Sequence, residues 1–478
     1  MAHPPGRPRR PRAALSATTP RRPLITGGGR RETLEWMEVR APGDGQLLAE
    51  VAAAGPEDVD RSLAAADAAW PAWAALAPVE RGRALAAYAA LIDVEQGPLA
   101  ELVHREVGKP LAEAAAEVAR AAEVVHHFAA EAERVWASQV PGRTLASGSW
   151  IRPAPVGVVA AIVPWNFPVA LVIWKLAPAL AAGCAVVVKP AQEAPLAAWA
   201  LCDLAERAGL PPGLVTCLTG DGPLLGEALA THPRVAKVAF TGSRRVAELI
   251  ASWAAPRLKA LSLELGGHGP LVVLPDADLD VAAEVAVAQG YVNAGQACYA
   301  VNRVLVPPEL AGDLLERMRA RIADVVLGPM ATERGLARHR MLLEDARTAG
   351  ARVEGGEELG GGRLAPALVT GAGPGVRLID EEPFTPIVAV MEVADTAAAI
   401  AEANRPDYGL VGYVAGADLR GALEAAQAIA CGTVVVNGWR VVVPYAPYAG
   451  WRGSGVGAEL GRPGLEAFLR WQHLRVLA

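Results

Sequence analysis

Three positions combine a reactive side chain with neighbours that leave it free to act. Cys298 follows Asn293-Ala294-Gly295-Gln296-Ala297, a small and polar stretch at the end of a predicted helix. Glycine there lets a backbone N–H face the site and the thiol reach solvent, the setting of a nucleophile, although an incidental loop cysteine reads the same way. The other four, Cys184, Cys202, Cys217 and Cys431, lie in or beside apolar runs, where cysteine acts as a small core residue. Glu264, in Leu263-Glu264-Leu265-Gly266-Gly267, ends an apolar strand at a glycine pair. That is the carboxyl edge of a parallel sheet, where ligands bind; a carboxylate there is a base or merely caps the turn. Asn166, in Pro164-Trp165-Asn166-Phe167-Pro168, is a neutral donor on a loop stiffened by two prolines. It suits a developing oxyanion, with a turn-making asparagine as the alternative. Finally, Phe240-Thr241-Gly242-Ser243 joins a strand to a helix start whose free N–H groups can receive a phosphate. Neither GxGxxG followed by an acid nor GxxxxGK[ST] occurs.

The elements that must position these groups alternate. Apolar runs at 156–163, 184–188, 214–218, 237–240 and 260–263 are separated by helical patterns at 168–182, 196–208, 224–231 and 243–253. A second series holds strands at 271–274, 301–306, 387–393 and 433–437, with helices at 278–292, 309–323 and 395–403. Short buried strands alternating with helices predict an α/β fold: two open parallel-sheet domains of Rossmann type, helices on both faces. Ahead of them, Val59, Leu63, Ala66 and Trp70, then a long pattern from Lys109 to Trp136, predict a helical cover. The Gly-rich stretch 355–362 reads as an exposed loop, and 465–476 as an edge strand that pairs elsewhere or with another subunit.

Composition sets the bounds. With 478 residues, 52% of them hydrophobic and 20% charged, the chain can bury two or three cores. A net charge of −6 from interspersed signs argues against a nucleic-acid partner, and the apolar runs are too short to cross a membrane. Five cysteines without CxxC or CxxH spacing argue against a disulfide scaffold or a metal, and predict a reducing, cytoplasmic setting. Only five basic residues are lysines, so an arginine carries little weight by itself. Residues 1–31, with eight arginines and no acid, read as a disordered basic tail.

Taken in order, Asn166, Lys189, Gly242-Ser243, Glu264 and Cys298 resemble the aldehyde dehydrogenase superfamily from about residue 40 onward. Also similar are Lys189-Pro190-Ala191, Gly222, Glu382-Pro383-Phe384, Asn404 with Tyr408-Gly409-Leu410, Asn437, and the tail Pro447 to Gly455 with Glu459-Leu460-Gly461. The resemblance implies NAD or NADP as cofactor, on a five-stranded dinucleotide fold that lacks GxGxxG. Cys298 would attack an aldehyde, the Asn166 amide and the Cys298 N–H would hold the oxyanion, and Glu264 would activate water on the thioester. Lys189, Gln192, Gly222, Gly242, Ser243 and Glu382 would contact the dinucleotide, with Trp165, Leu265 and Phe384 around its nicotinamide end. The domains implied are 32–134 with 156–264 for the cofactor, 265–454 for catalysis, and 135–155 with 455–478 for assembly into a homodimer or homotetramer.

Departures bear on specificity. Gln192 stands where many NAD-preferring members carry a glutamate, and Thr385, Ala449 and Arg452 replace glycine, glycine and lysine. Tyr299 is bulkier than the usual residue after the nucleophile. The look is nearest to the succinate-semialdehyde branch, yet Trp174-Lys175 stands where that branch has arginine before the lysine. Arg440, beside Trp439, is the candidate replacement for holding a small anionic aldehyde; Trp174 and Trp439 would equally make an apolar or aromatic pocket. The competing functions are a CoA-acylating dehydrogenase, which has little use for Glu264, a cysteine thioesterase or esterase, and a non-catalytic protein on the same fold.

Overall fold

The structure is a computed structural model describing residues 20–27, 29–142 and 147–477. Two parallel sheets dominate. In the first, five parallel strands stand in the order Ala260–Glu264, Val235–Thr241, Val158–Ile162, Ala185–Lys189, Val215–Cys217. Val158–Ile162 and Ala185–Lys189 are buried along their whole length because helices cover both faces. The chain builds outward from Val158–Ile162 on one side and then jumps back to place Val235–Thr241 on the other. Strand order therefore reverses between these two, and the crevice beyond their carboxyl ends is where such sheets take ligands. Trp165-Asn166 and Gly242-Ser243 follow these strands directly.

The second sheet holds six parallel strands in the order Ala367–Thr370, Ile387–Glu392, Val301–Val306, Gly269–Val273, Val411–Ala415, Thr433–Val436, with Arg352–Gly355 antiparallel at one edge. Its register explains the site. Glu264 ends the first sheet, Gly269 begins the second, and Gly269 pairs with Val301. The turn after Glu264 and the loop carrying Cys298 thus run side by side, so closely that a Cβ on Gly267 would lie 2.2 Å from the Cys298 carbonyl oxygen.

Several expectations need correction. Residues 20–31 of the expected basic tail are partly structured: Arg21–Arg22 pairs with Leu47–Ala52, and Leu24–Ile25, fully buried, pairs with Val215–Cys217 at the edge of the first sheet. Residues 1–19 lie outside the described residues. The largely exposed stretch 355–362 is not all loop: its Glu358–Gly360 pairs antiparallel with the following Arg363–Leu364. A third, antiparallel sheet joins Ser138–Pro141, Gly148–Pro155 and Leu469–Val476. Gly455–Val456, expected to belong with it, instead adds an antiparallel edge to the first sheet beside Leu263–Glu264.

Buried acids fix the helical cover. Glu117, on the helix Leu111–Ala132, accepts from the N–H groups of Val169 (2.9 Å) and Ala170 (3.1 Å), where the next helix begins, and from Lys109 Nζ at 2.6 Å. Glu106 does the same for Leu196 and Ala197 at the start of Leu196–Arg207. A carboxylate at a helix N-terminus satisfies orphan donors and opposes the helix dipole. Removing one partner of a buried pair strands the other charge and costs about 3 kcal/mol or more. Glu117→Ala is therefore expected to lower the thermal midpoint sharply; a variant melting with the wild type contradicts this.

Candidate active site

Cys298 follows a turn whose backbone L-residues rarely adopt. Asn293, Ala294 and Gly295 all have positive φ (48°, 55° and 70°), and a Cβ on Gly295 would lie 2.2 Å from the Thr385 carbonyl oxygen. Hydrogen bonds hold this strained turn. Asn293 N–H donates to Glu113 (2.9 Å), and Asn293 Nδ2 donates to the carbonyls of Asn166 (3.1 Å) and Gln296 (3.2 Å). Gln296 Nε2 donates to the Asn293 carbonyl (3.0 Å), and Gln296 Oε1 accepts from Ala331 N–H (3.0 Å). Asn166 is locked to the same loop, its Nδ2 donating to the Gln296 carbonyl at 3.1 Å. Lys109 Nζ donates to the Asn166 carbonyl at 2.8 Å and lies 4.0 Å from the centre of the Phe167 ring, so the Pro-Trp-Asn loop rests on a buried ammonium.

One cavity of about 390 Å³ collects Cys298, Glu264 and Asn166 together with Trp165, Gly242, Ser243, Leu265, Glu382 and Phe384. Trp165 meets Phe384 edge to face at 5.8 Å, and Glu382 accepts from Gly267 N–H at 3.0 Å. Arg338 and Arg334 also line it; Arg338 donates to the carbonyls of Pro383 and Glu382 and so braces that turn. The two acids that face the thiol are desolvated. Burial, then the nearby charge of Glu459, pushes Glu264 up to about 8, and burial pushes Glu382 up to about 7. The Glu264 carboxyl lies beside the Cys298 thiol and the Thr241 hydroxyl, and among the described residues neither oxygen accepts from a backbone N–H. Burial, followed by the charge of Glu264, holds the Cys298 thiol well above the usual range.

Behind Glu264 lies a second polar layer. Lys175 Nζ bridges Glu459 (2.7 Å) and Thr241 Oγ1 (2.6 Å), all three buried. On the other side of the sulfur, Tyr448 Oη lies 3.4 Å from Cys298 Sγ, with its ring edge-on to Trp174 at 5.2 Å. Lys109, Lys175, Thr241, Tyr448, Arg334 and Arg338 were not singled out as site residues from the sequence. Lys175 and Glu459 are 284 residues apart, and no local spacing pairs them.

The remaining expected residues lie outside the cavity lining. Lys189 is buried, burial pulls its ammonium below the usual lysine range, and it has no hydrogen-bond or ion-pair partner among the described residues; a Cβ on Gly222 would come within 3.7 Å of its Nζ. Gln192 is exposed, next to Met37. Trp174 is buried, and Tyr299 is tilted against Phe167 at 5.7 Å. Trp439 is on the surface, donating to Glu284 at 3.1 Å. Arg440, expected near the substrate, is likewise exposed, with its guanidinium 5.6 Å from the Trp439 ring centre and not at Cys298.

The profile of the aldehyde dehydrogenase family matches residues 30–474. The chain belongs to the aldehyde dehydrogenase family. It is 35% identical over 453 residues to the succinate-semialdehyde dehydrogenase [NADP(+)] of Escherichia coli K12, covering 92% of this chain and 94% of that one. It is 35% identical over 449 residues to the glutarate-semialdehyde dehydrogenase of Pseudomonas putida KT2440, covering 92% and 94%. The crystal structure of betaine aldehyde dehydrogenase from Staphylococcus aureus in complex with NAD+ superposes with a TM-score of 0.92 at 30% identity, covering 95% and 94%. This aldehyde dehydrogenase is an NAD(P)-dependent oxidoreductase that converts an aldehyde to an acid. No helix among its described residues is long and apolar enough to cross a membrane.

The raised Glu264 carboxyl has a consequence that does not involve turnover. The folded protein holds that proton to about pH 8 against 4.5 for the free group. The group's contribution to stability is therefore fully present below 4.5 and is lost as pH climbs through 8. Glu264→Gln, which cannot ionise, is expected to melt with the wild type at acid pH and above it at alkaline pH; a variant less stable than wild type in alkali contradicts this.

Proposed function

We propose that this dehydrogenase works through Cys298 as nucleophile, Asn166 as oxyanion donor and Glu264 as the base for hydrolysis. The observation that carries the reading is the convergence of these three side chains, from three separate segments, on one cavity in which the Glu264 carboxyl lies beside the sulfur. The sulfur attacks the carbonyl carbon and the oxygen takes the charge. Nδ2 of Asn166, tied by one hydrogen to Gln296, keeps its other hydrogen for that oxyanion. When the oxyanion collapses, the substrate carbon gives up its hydride and remains on Cys298 as a thioester. Glu264 then takes a proton from water as the water attacks, and the acid leaves.

The residues fit a dinucleotide. Gly242 and Ser243 offer an open helix start, Glu382 is a half-buried carboxylate, and Lys189 is buried with no hydrogen-bond or ion-pair partner among the described residues. NAD(P)+, when bound, supplies the hydride acceptor. In this reading 32–134 with 156–264 bind the cofactor and 265–454 carry out catalysis. The third sheet, with Trp150, Trp471 and Leu474 exposed, is the contact surface of a homo-oligomer.

The substrate is read as a small anionic aldehyde, supported by the semialdehydes named for the two relatives. A second reading, an aromatic or apolar aldehyde, is favoured by the Tyr448 ring at the sulfur, packed on Trp174, and by the surface position of Arg440. A panel of anionic, aliphatic and aromatic aldehydes decides between them: the highest kcat/KM for a dicarboxylate semialdehyde supports the first, for benzaldehyde the second.

Two outcomes test the mechanism and the coenzyme. Asn166→Ala is expected to lower kcat/KM by about 100-fold to 1,000-fold, and Cys298→Ala to remove activity; retention of activity by Cys298→Ala contradicts the reading. Because Gln192 is neutral and exposed, NADP is expected to be used alongside NAD. A preference for NAD on the order of thousands in kcat/KM contradicts that expectation.

A further inference from the structure

The surroundings of Cys298 pose a problem that the three mechanistic residues do not solve. A thiolate is the attacking species, yet the titratable groups facing the sulfur oppose it. Glu264 approaches from the end of Ala260–Glu264, and Glu382 from the turn after the helix Arg377–Asp380. Both are acids. Tyr299 follows in the chain, and Tyr413 faces it from Val411–Ala415, but the Tyr413 hydroxyl is spent on the Tyr299 carbonyl at 2.7 Å. The nearest buried ammonium, Lys175, is occupied by Glu459 and Thr241 one layer behind Glu264. No lysine, arginine or histidine forms a contact with Sγ among the described residues.

Besides the Glu264 carboxyl, what meets Sγ is the Tyr448 hydroxyl, at 3.4 Å. It is held there firmly. Tyr448 is buried, its ring is packed on Trp174, and its backbone pairs in both directions with Glu459 (N–H to carbonyl, 2.7 and 2.8 Å). We propose that the Tyr448 hydroxyl is a catalytic hydrogen-bond donor to the Cys298 thiolate, the group that keeps sulfur charged between two acids. The inference rests on Cys298 being the nucleophile. In the ionised site the S–H bond is broken and its proton passes to water in the cavity; the phenol keeps its own proton and shares it with the sulfur. As the S–C bond forms, the charge moves from sulfur to the carbonyl oxygen and the phenol's hydrogen bond weakens. Tyr448 therefore raises the fraction of thiolate and slightly lowers the intrinsic reactivity of each thiolate. The phenol is suited to this part because burial holds its own ionisation well above the usual tyrosine range.

The test is the pH profile of Cys298 alkylation by iodoacetamide, followed by mass spectrometry on the labelled peptide, for wild type, Tyr448→Phe and Glu264→Gln. Sulfur displaces iodide, so the readout needs neither aldehyde nor coenzyme. Tyr448→Phe keeps the ring on Trp174 and loses only the hydroxyl. Its profile is expected to shift about 1–2 pH units to the alkaline side, a roughly 10-fold to 100-fold slower labelling at neutral pH, with a plateau no lower than wild type. Glu264→Gln, which removes an opposing charge, is expected to shift the profile the other way. The thiolate ultraviolet absorbance, taken against Cys298→Ser, gives the same shifts independently. A Tyr448→Phe profile that overlays wild type, or a lower plateau without a shift, overturns the inference while leaving Cys298 as the nucleophile. Failure of Cys298 to label at any pH overturns both.

Discussion

The Asn166 clasp between the two sheets is the contact on which the site depends. Its backbone carbonyl accepts from Lys109 and Asn293, and its side-chain amide donates to Gln296, so one residue joins the helical cover, the first sheet's leading loop and the strained turn before Cys298. The positive φ values of Asn293 and Ala294 cost energy that only such over-determination can sustain. The donor and the sulfur therefore hold a fixed separation without any contact with substrate. Pre-organisation of that kind is what makes a neutral amide effective against a charge that exists only briefly.

A second constraint runs through the acids. Glu106 and Glu117 are buried and bonded to the N–H groups that open two helices, which is how a carboxylate is ordinarily tolerated inside a protein. Glu264 is buried beside the Cys298 thiol and the Thr241 hydroxyl, and among the described residues no backbone N–H donates to it. The difference between these carboxylates is one of solvation: without helix N–H groups to stabilise its charge, the buried Glu264 holds its proton. The Lys175–Glu459–Thr241 layer behind it ties the strand Val235–Thr241 to the chain near residue 459 and sets the electrostatic floor of the pocket.

Much of this architecture was legible in the sequence because parallel strands buried on both faces read as unbroken apolar runs; Val301–Val306 is bounded as expected. Where burial had another cause, the pattern was silent. Val411–Ala415, a central strand of the second sheet, contains Gly412 and follows a loop motif, so no run stands out. Leu24–Ile25 is only two residues in an arginine-rich stretch, buried because it closes an edge against Cys217. The helix Glu333–Thr348 is too charged for its apolar stripe to show. In the site, the glycines and prolines flanking Cys298, Glu264 and Asn166 left each open between a chemical and a structural part, and it was their order along the chain, matching a family, that grouped them. Tyr448 was not grouped with them, since its nearness to sulfur arises from the pairing of residues 448 and 459 and not from any neighbour in sequence. Arg440, weighed from the sequence as a substrate anchor against an ordinary loop arginine, is exposed and stacks on Trp439.

The mechanism requires that carbon become covalently attached to one particular sulfur during oxidation. Mixing the enzyme with coenzyme and a turned-over aldehyde, quenching in acid within the first turnover and mapping the digested protein by mass addresses it directly. The account predicts an acyl group on the peptide containing Cys298, in amounts that match the reduced coenzyme formed in the first turnover. Reduced coenzyme formed with Cys298 unmodified, or an acyl group on Cys184, Cys202, Cys217 or Cys431, would contradict it.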